Sequence, residues 1–145
     1  MTAPRIDAAE VERISREDVP SVGPEGVRVL ALGEGSCSVW LPYDPRSIRP
    51  GGTISGPTMM GLADFALYVA VMTAIGPVKL AVTTDLTCHF LRRPEPRPLV
   101  AHAKLLKLGR RLAIGEVAVH AEGETEPVAH IVATYSIPPE AGAAS

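Results

Sequence analysis

Between Arg49 and Lys79 the chain carries one charged side chain, Asp64, in the middle of its most apolar run, TMMGLADFALYVAVMTAI, residues 58–75. Burying a lone carboxylate is costly unless it is paired, hydrogen-bonded or neutralised. Two readings meet that demand. Asp64 is a core residue bonded to a hydroxyl or a backbone donor, or it is a general base or nucleophile whose basicity rises as it is desolvated. A membrane span is set aside, because the run is short and holds Asp64, Gly61 and two threonines. Just ahead of it stands Ser55-Gly56-Pro57. With Gly56 as N-cap and Pro57 at the first helical position, the Gly56 amide and the positive end of the helix dipole would face an incoming carbonyl, as stabilisation of an oxyanion requires. The same three residues also make a good helix start with no chemistry attached.

The elements that must position Asp64 follow from hydrophobic periodicity and its breaks. Residues 7–17 read as an amphipathic helix with Ile6, Val11 and Ile14 on one side. From Gly26 to Tyr43 apolar residues alternate, turning at Gly33-Glu34-Gly35, which predicts a hairpin. YDPRSIRPGGTISGP is a long loop. A helix over about 57–75 follows, closed by Gly76-Pro77 and apolar on every face, so other structure must wrap it. Four strands come next, at about 78–91, 98–108, 111–121 and 127–137, separated by RRPEPRP, Gly109-Arg110 and EGETEP. This order predicts an α+β domain in which an antiparallel sheet curls round one buried helix, the hotdog arrangement. The whole chain, 1–145, reads as one domain, with 1–20 as an N-terminal helical segment and 139–145 as a frayed tail.

Composition narrows the functional classes. An apolar fraction of 46% with 21% charged residues is that of a folded globular chain. A net charge of −2 offers no general attraction for nucleic acid. Cys37 and Cys88 form no C-x-x-C, and His89, His102, His120 and His130 lie in separate segments, so neither a metal nor a resident cofactor is expected. The first residues carry charge throughout and lack the apolar stretch of a secretory signal, so a reducing, cytoplasmic setting away from membranes is expected.

At GGTISGPTMMGLADFALYVAV, followed by LAVTTDLTCHFLRRP, the sequence resembles the PaaI-like hotdog thioesterases, which hydrolyse acyl-coenzyme A. The likeness is strongest over residues 49–94, where Leu62-Ala63-Asp64 stands at the spacing of that family's L-A-D. It implies that Asp64 is the catalytic carboxylate and Gly56 the oxyanion donor. It also implies that Thr83 orients the attacking water, and that coenzyme A enters only as part of the substrate. Ser55 replaces the family's usual His, Pro57 its second Gly, and Arg49 stands where some members have Asn. Thr83 raises a question of geometry, since strict alternation from Val78 puts Val82, Thr84 and Leu86 on one face and Thr83 on the other.

Coenzyme A carries phosphates, for which Arg92 and Arg93, with Lys107, Arg110 and Arg111 round the next turn, are the candidate contacts; the alternative is a solvated surface. Asp64 and Gly56 are eight residues apart, ~12 Å along a helix axis, too far for one helix to supply both groups to one carbonyl. A homodimer with shared sites is therefore expected, and by the resemblance a dimer of dimers. A non-catalytic acyl-CoA-binding protein is the alternative function. A hotdog dehydratase would need a His near the helix, and none precedes Cys88.

Overall fold

The computed structural model describes residues 3–78 and 80–139. Asp7 accepts a hydrogen bond from the Glu10 amide at 2.8 Å and so caps α1 (Ala8–Glu17), whose Val11 and Ile14 are buried, with Ile6 beside them. Two side chains of α1 tie it to the chain that follows: Ser15 accepts from the Val27 amide at 3.0 Å and Glu12 from the Val29 amide at 2.9 Å. These bonds satisfy donors beside an exposed sheet edge, where unpaired amides would otherwise invite another strand. A 3-10 turn, Pro20–Val22, leads into the hairpin of β1 (Arg28–Gly33) and β2 (Ser36–Leu41).

The segment expected to be loop has structure of its own. A 3-10 turn at Pro45–Ser47 precedes β3 (Ile48–Arg49) and β4 (Thr53–Ile54), which pair across Gly51-Gly52. Both glycines lie at positive φ, 103° and 80°, the left-handed region that side chains disfavour. Then comes α2 (Gly56–Ile75). Its N-cap is Ser55 instead of Gly56, because the Ser55 hydroxyl accepts from the Thr58 amide at 3.3 Å and glycine has no such group. Gly56 is thus the first helical residue and Pro57 the second.

The remaining strands are β5 (Val82–Phe90), β6 (Leu99–Leu108), β7 (Leu112–Ala121) and β8 (Ala129–Ser136). The first starts later than its sequence pattern suggests, since Val78 accepts from the Ala81 amide in a turn. The six long strands form one sheet in the order β1-β2-β6-β7-β8-β5, every pair antiparallel. This is the hotdog fold. Its inner face presents Val39, Ala101, Ala103, Ala113, Val117, Ile131 and Ala133 to α2, all buried. Small residues let the helix come close: a Cβ on Gly115 would lie 2.3 Å from Leu67 Cδ1 and 2.8 Å from the Lys104 carbonyl oxygen.

Helix α2 is long and apolar enough to cross a membrane, yet from Leu62 to Thr73 it is buried against the sheet except at Asp64. Its first turns are less enclosed. Pro57, Met60 and Gly61 are exposed and Asp64 is half-buried, and their spacing places them along one stripe of the helix.

Candidate active site

Asp64 projects from the open stripe of α2 toward the start of β5 and the end of β8. The Thr83 hydroxyl donates to Asp64 Oδ1 at 2.6 Å, and the Tyr135 hydroxyl lies 2.7 Å from both Oδ1 and the Asp64 carbonyl oxygen. Burial first, and then the Asp64 charge, hold the Tyr135 phenol well above its usual range, so it is a protonated donor. No described residue donates to Asp64 Oδ2. Asp64 is thus half-buried instead of buried, held by the fold through Oδ1, with no donor to Oδ2 among the described residues.

Thr83 reaches this site because β5 is irregular. Thr83 pairs with Tyr135 and Asp85 with Thr134, which leaves Thr84 as an extra residue in the ladder. Such a bulge shifts the phase of the strand. Thr83 and Leu86 therefore both turn partly inward while Val82 and Thr84 are exposed, in place of the strict alternation the sequence suggests. Tyr135 was not singled out by sequence. A signal existed, since a tyrosine at an inward strand position needs a partner for its hydroxyl.

A cavity of about 420 Å³ opens at Asp64. Gly61, Asp64, Phe65 and Tyr68 line it along one side of α2, with Val19, Val22 and Ala81 among the facing residues. Tyr68 stacks on Tyr135 at 6.1 Å between ring centres, and Phe65 meets Tyr68 edge-on at 6.2 Å. A larger cavity of about 700 Å³ lies across the Pro20–Val22 turn, bounded by Tyr43, Arg46, Thr58 and Arg97. It does not include Asp64, so the smaller cavity is the one that joins space to chemistry.

The other candidates are dispersed. Gly56 lies at the far end of β5, where an added Cβ would approach the Phe90 ring to 3.1 Å. Its amide makes no hydrogen bond to another described residue. The Ser55 hydroxyl is occupied by the Thr58 amide and by the Thr58 hydroxyl at 2.9 Å. The strand registers put Arg92 and Arg93 at the Gly56 end of the sheet and Arg110 and Arg111 at the opposite end. Within one chain the two arginine pairs do not form a single patch. Arg92 is ion-paired with Glu126, whereas Arg93, Arg110 and Arg111 are exposed with no ion pair among the described residues.

Comparison with known proteins shows the family. Residues 51–128, more than half of the chain, match the family model described as Thioesterase superfamily. The crystal structure of a "putative thioesterase" from Silicibacter sp. TM1040 shares 40% identity and a TM-score of 0.82, covering 94% of each chain. A variant of the phenylacetic acid degradation protein PaaI from Thermus thermophilus shares 29% identity and a TM-score of 0.68, over 78% of this chain and 94% of that one. A Haemophilus influenzae protein named "Putative esterase" is 25% identical over 97 residues, 67% of this chain and 70% of its own length. The fold and the family match together place this chain in the thioesterase superfamily of hotdog hydrolases.

Proposed function

We propose that the protein hydrolyses an acyl-coenzyme A thioester to the free acid and coenzyme A, with Asp64 as general base or nucleophile. The observation that carries this reading is the division of labour at Asp64: two hydroxyls from paired strands hold Oδ1, and Oδ2 has no donor among the described residues beside a cavity of mixed polarity. A carboxylate fixed through one oxygen can present the other to a water, or to the thioester carbon itself, without first reorganising. Thr83 and Tyr135 position it.

The oxyanion donor in this reading is the Gly56 amide of a second copy of the chain. Within one chain Gly56 and Asp64 stand ~12 Å apart along α2, whereas a donor and an attacking group must flank one carbonyl. A two-fold pair with antiparallel α2 helices sets Asp64 of one copy beside Gly56 of the other and makes two equal sites. Three features support such a pair. The open stripe of α2 runs through Asp64, and β5 is an edge strand with one side unpaired. Leu80, Val82, Phe90 and Leu91 are exposed on and beside that edge. The same pairing would carry Arg110 and Arg111 of one chain toward Arg92 and Arg93 of the other, so both basic ends flank one site, where coenzyme A phosphates need them.

The test is release of free thiol from a panel of acyl-CoAs by wild type and Asp64→Asn. Wild type is expected to turn over at least one acyl class, and Asp64→Asn to lose about 10²–10⁴-fold in kcat with its melting temperature held. Saturable acyl-CoA binding without thiol release by wild type would instead assign the protein to acyl binding alone.

A further inference from the structure

The Asp64 cavity and the larger one beside it share a wall. Asp18, Val19, Ser21 and Val22 form the side of the Asp64 cavity that faces α2, and the Pro20–Val22 turn borders the larger cavity from its other side. Among the described residues only Ser21 and Val22 line both spaces. Ser21 is exposed, whereas Val22 is 6% exposed and belongs to the hydrophobic core. Helix α2 runs beneath both: Thr58 lies in the larger cavity, and Gly61, Phe65 and Tyr68 in the smaller. Their spacing of three and four residues puts these four on one face of the helix. The two cavities are therefore successive stretches of one groove along α2, crossed by the turn, which packs on the helix there.

This wall is fixed at both ends. The Asp18 and Val19 amides both donate to the Ile14 carbonyl at 2.9 Å, which ties the turn to the end of α1. Within it the Val22 amide donates to the Val19 carbonyl at 3.2 Å and the Gly23 amide to the Pro20 carbonyl at 3.3 Å, while Pro20 fixes its own φ. Downstream the Val27 amide returns the chain to Ser15 of α1. Val22 is thus held in place, and a group entering from the Asp64 side stops at it.

Charge decides which end of a substrate enters. Among the described residues no Lys or Arg lines the Asp64 cavity, whereas Asp18 and Asp64 do, so nothing in it attracts the phosphates of coenzyme A. Its buried wall is apolar and aromatic, made by Val22, Phe65, Tyr68 and Ala81. With the thioester carbonyl at Asp64, the acyl chain has this space to fill until it meets Val22.

We infer that Val22 sets the upper length of the acyl group, which is therefore compact. The inference rests on the hydrolytic reading of Asp64 and deepens it. Val22 meets the far end of the acyl group and no reacting atom, so its part is specificity. In an apolar pocket one methylene changes discrimination by about 10–200-fold, and a chain slightly too long is rejected accordingly. Truncating Val22 joins the cavity of about 420 Å³ to that of about 700 Å³.

The experiment records two profiles against straight-chain length for full-length wild type, Val22→Ala and Val22→Leu. One is kcat/KM for thiol release from acetyl- to palmitoyl-CoA; the other is Kd for S-alkyl-CoA thioethers of matching length, which cannot be hydrolysed. Wild type is expected to show a cut-off. Val22→Ala should raise the ratio of the first rejected chain to the last accepted one about tenfold or more, and Val22→Leu should move the cut-off to shorter chains. Circular dichroism checks folding, and should Val22→Ala not fold, the direction of the Val22→Leu shift decides. An unmoved cut-off, an equal change at every length, or a wild type without a cut-off overturns the assignment. A wild type that binds the thioethers but releases no thiol ends the hydrolytic reading instead, and the binding profile then judges Val22 by itself.

Discussion

Thr83 and Tyr135 meet Asp64 from directly opposed positions on β5 and β8, so one rung of the sheet supplies both donors to a carboxylate that belongs to the helix. Hydrogen bonds to a charged group contribute about 1.5–3 kcal/mol each. If that energy is realised in the transition state, Thr83→Val or Tyr135→Phe should each lower kcat roughly ten- to a hundredfold. Because both hydroxyls reach the same oxygen, the double variant should lose less than the product of the single losses. Steady-state thiol release on the four proteins of this cycle decides the matter. Unchanged kcat in both single variants would show that the two hydroxyls serve stability alone. Arg92 and Arg93 lie away from this rung, and nothing in the geometry gives them a part in positioning Asp64.

At the scale of elements, two irregularities decide where these residues point. The extra residue at Thr84 turns Thr83 inward, and a second register shift between Leu105 and Lys107 lies on β6 opposite Gly115 of β7. Helix α2 comes close to the sheet at that glycine, with Leu67 filling the position a side chain would take. Leu67 could rotate away from an added methyl group, but the Lys104 carbonyl belongs to the ladder and cannot yield cheaply. Gly115→Ala is therefore expected to destabilise the protein by about 1–3 kcal/mol, read as a lower urea midpoint with an unchanged slope. A midpoint equal to wild type would mean that the helix can lift from the sheet there without cost.

For the molecule as a whole, the shared-site reading makes a prediction that no single-chain arrangement reproduces. Asp64→Ala removes the carboxylate, and Gly56→Pro removes the amide donor; proline is tolerable in the first turn of a helix, with the Phe90 ring, 3.1 Å from an added Cβ, having to shift. Each homodimer should be inactive. In a verified heterodimer, one interface pairs an intact Asp64 with an intact Gly56, and about half of wild-type activity should return. Circular dichroism of each parent guards against misfolding. A heterodimer with no recovered activity would place the whole site within one chain.

Much of this architecture was legible in the sequence because periodicity, caps and turn formers are local. The amphipathic pattern of Val11 and Ile14, the hairpin round Glu34-Gly35 and the alternation of β7 and β8 each follow from neighbours a few residues away. A lone carboxylate in an apolar run pointed to Asp64 for an equally local reason, the cost of burying charge. Three things depended on residues distant in the chain and were settled by tertiary structure. Tyr135, 71 residues from Asp64, became its partner through strand register. Thr83 faces the site only because pairing with β8 forces a bulge. His102 and His120 lie in different strands, and the register of β6 on β7 makes them diagonal neighbours whose Nε2 atoms converge. Local sequence sets what each element is, whereas pairing register and helix packing set which side chains meet, because those depend on the free energy of the whole assembled core.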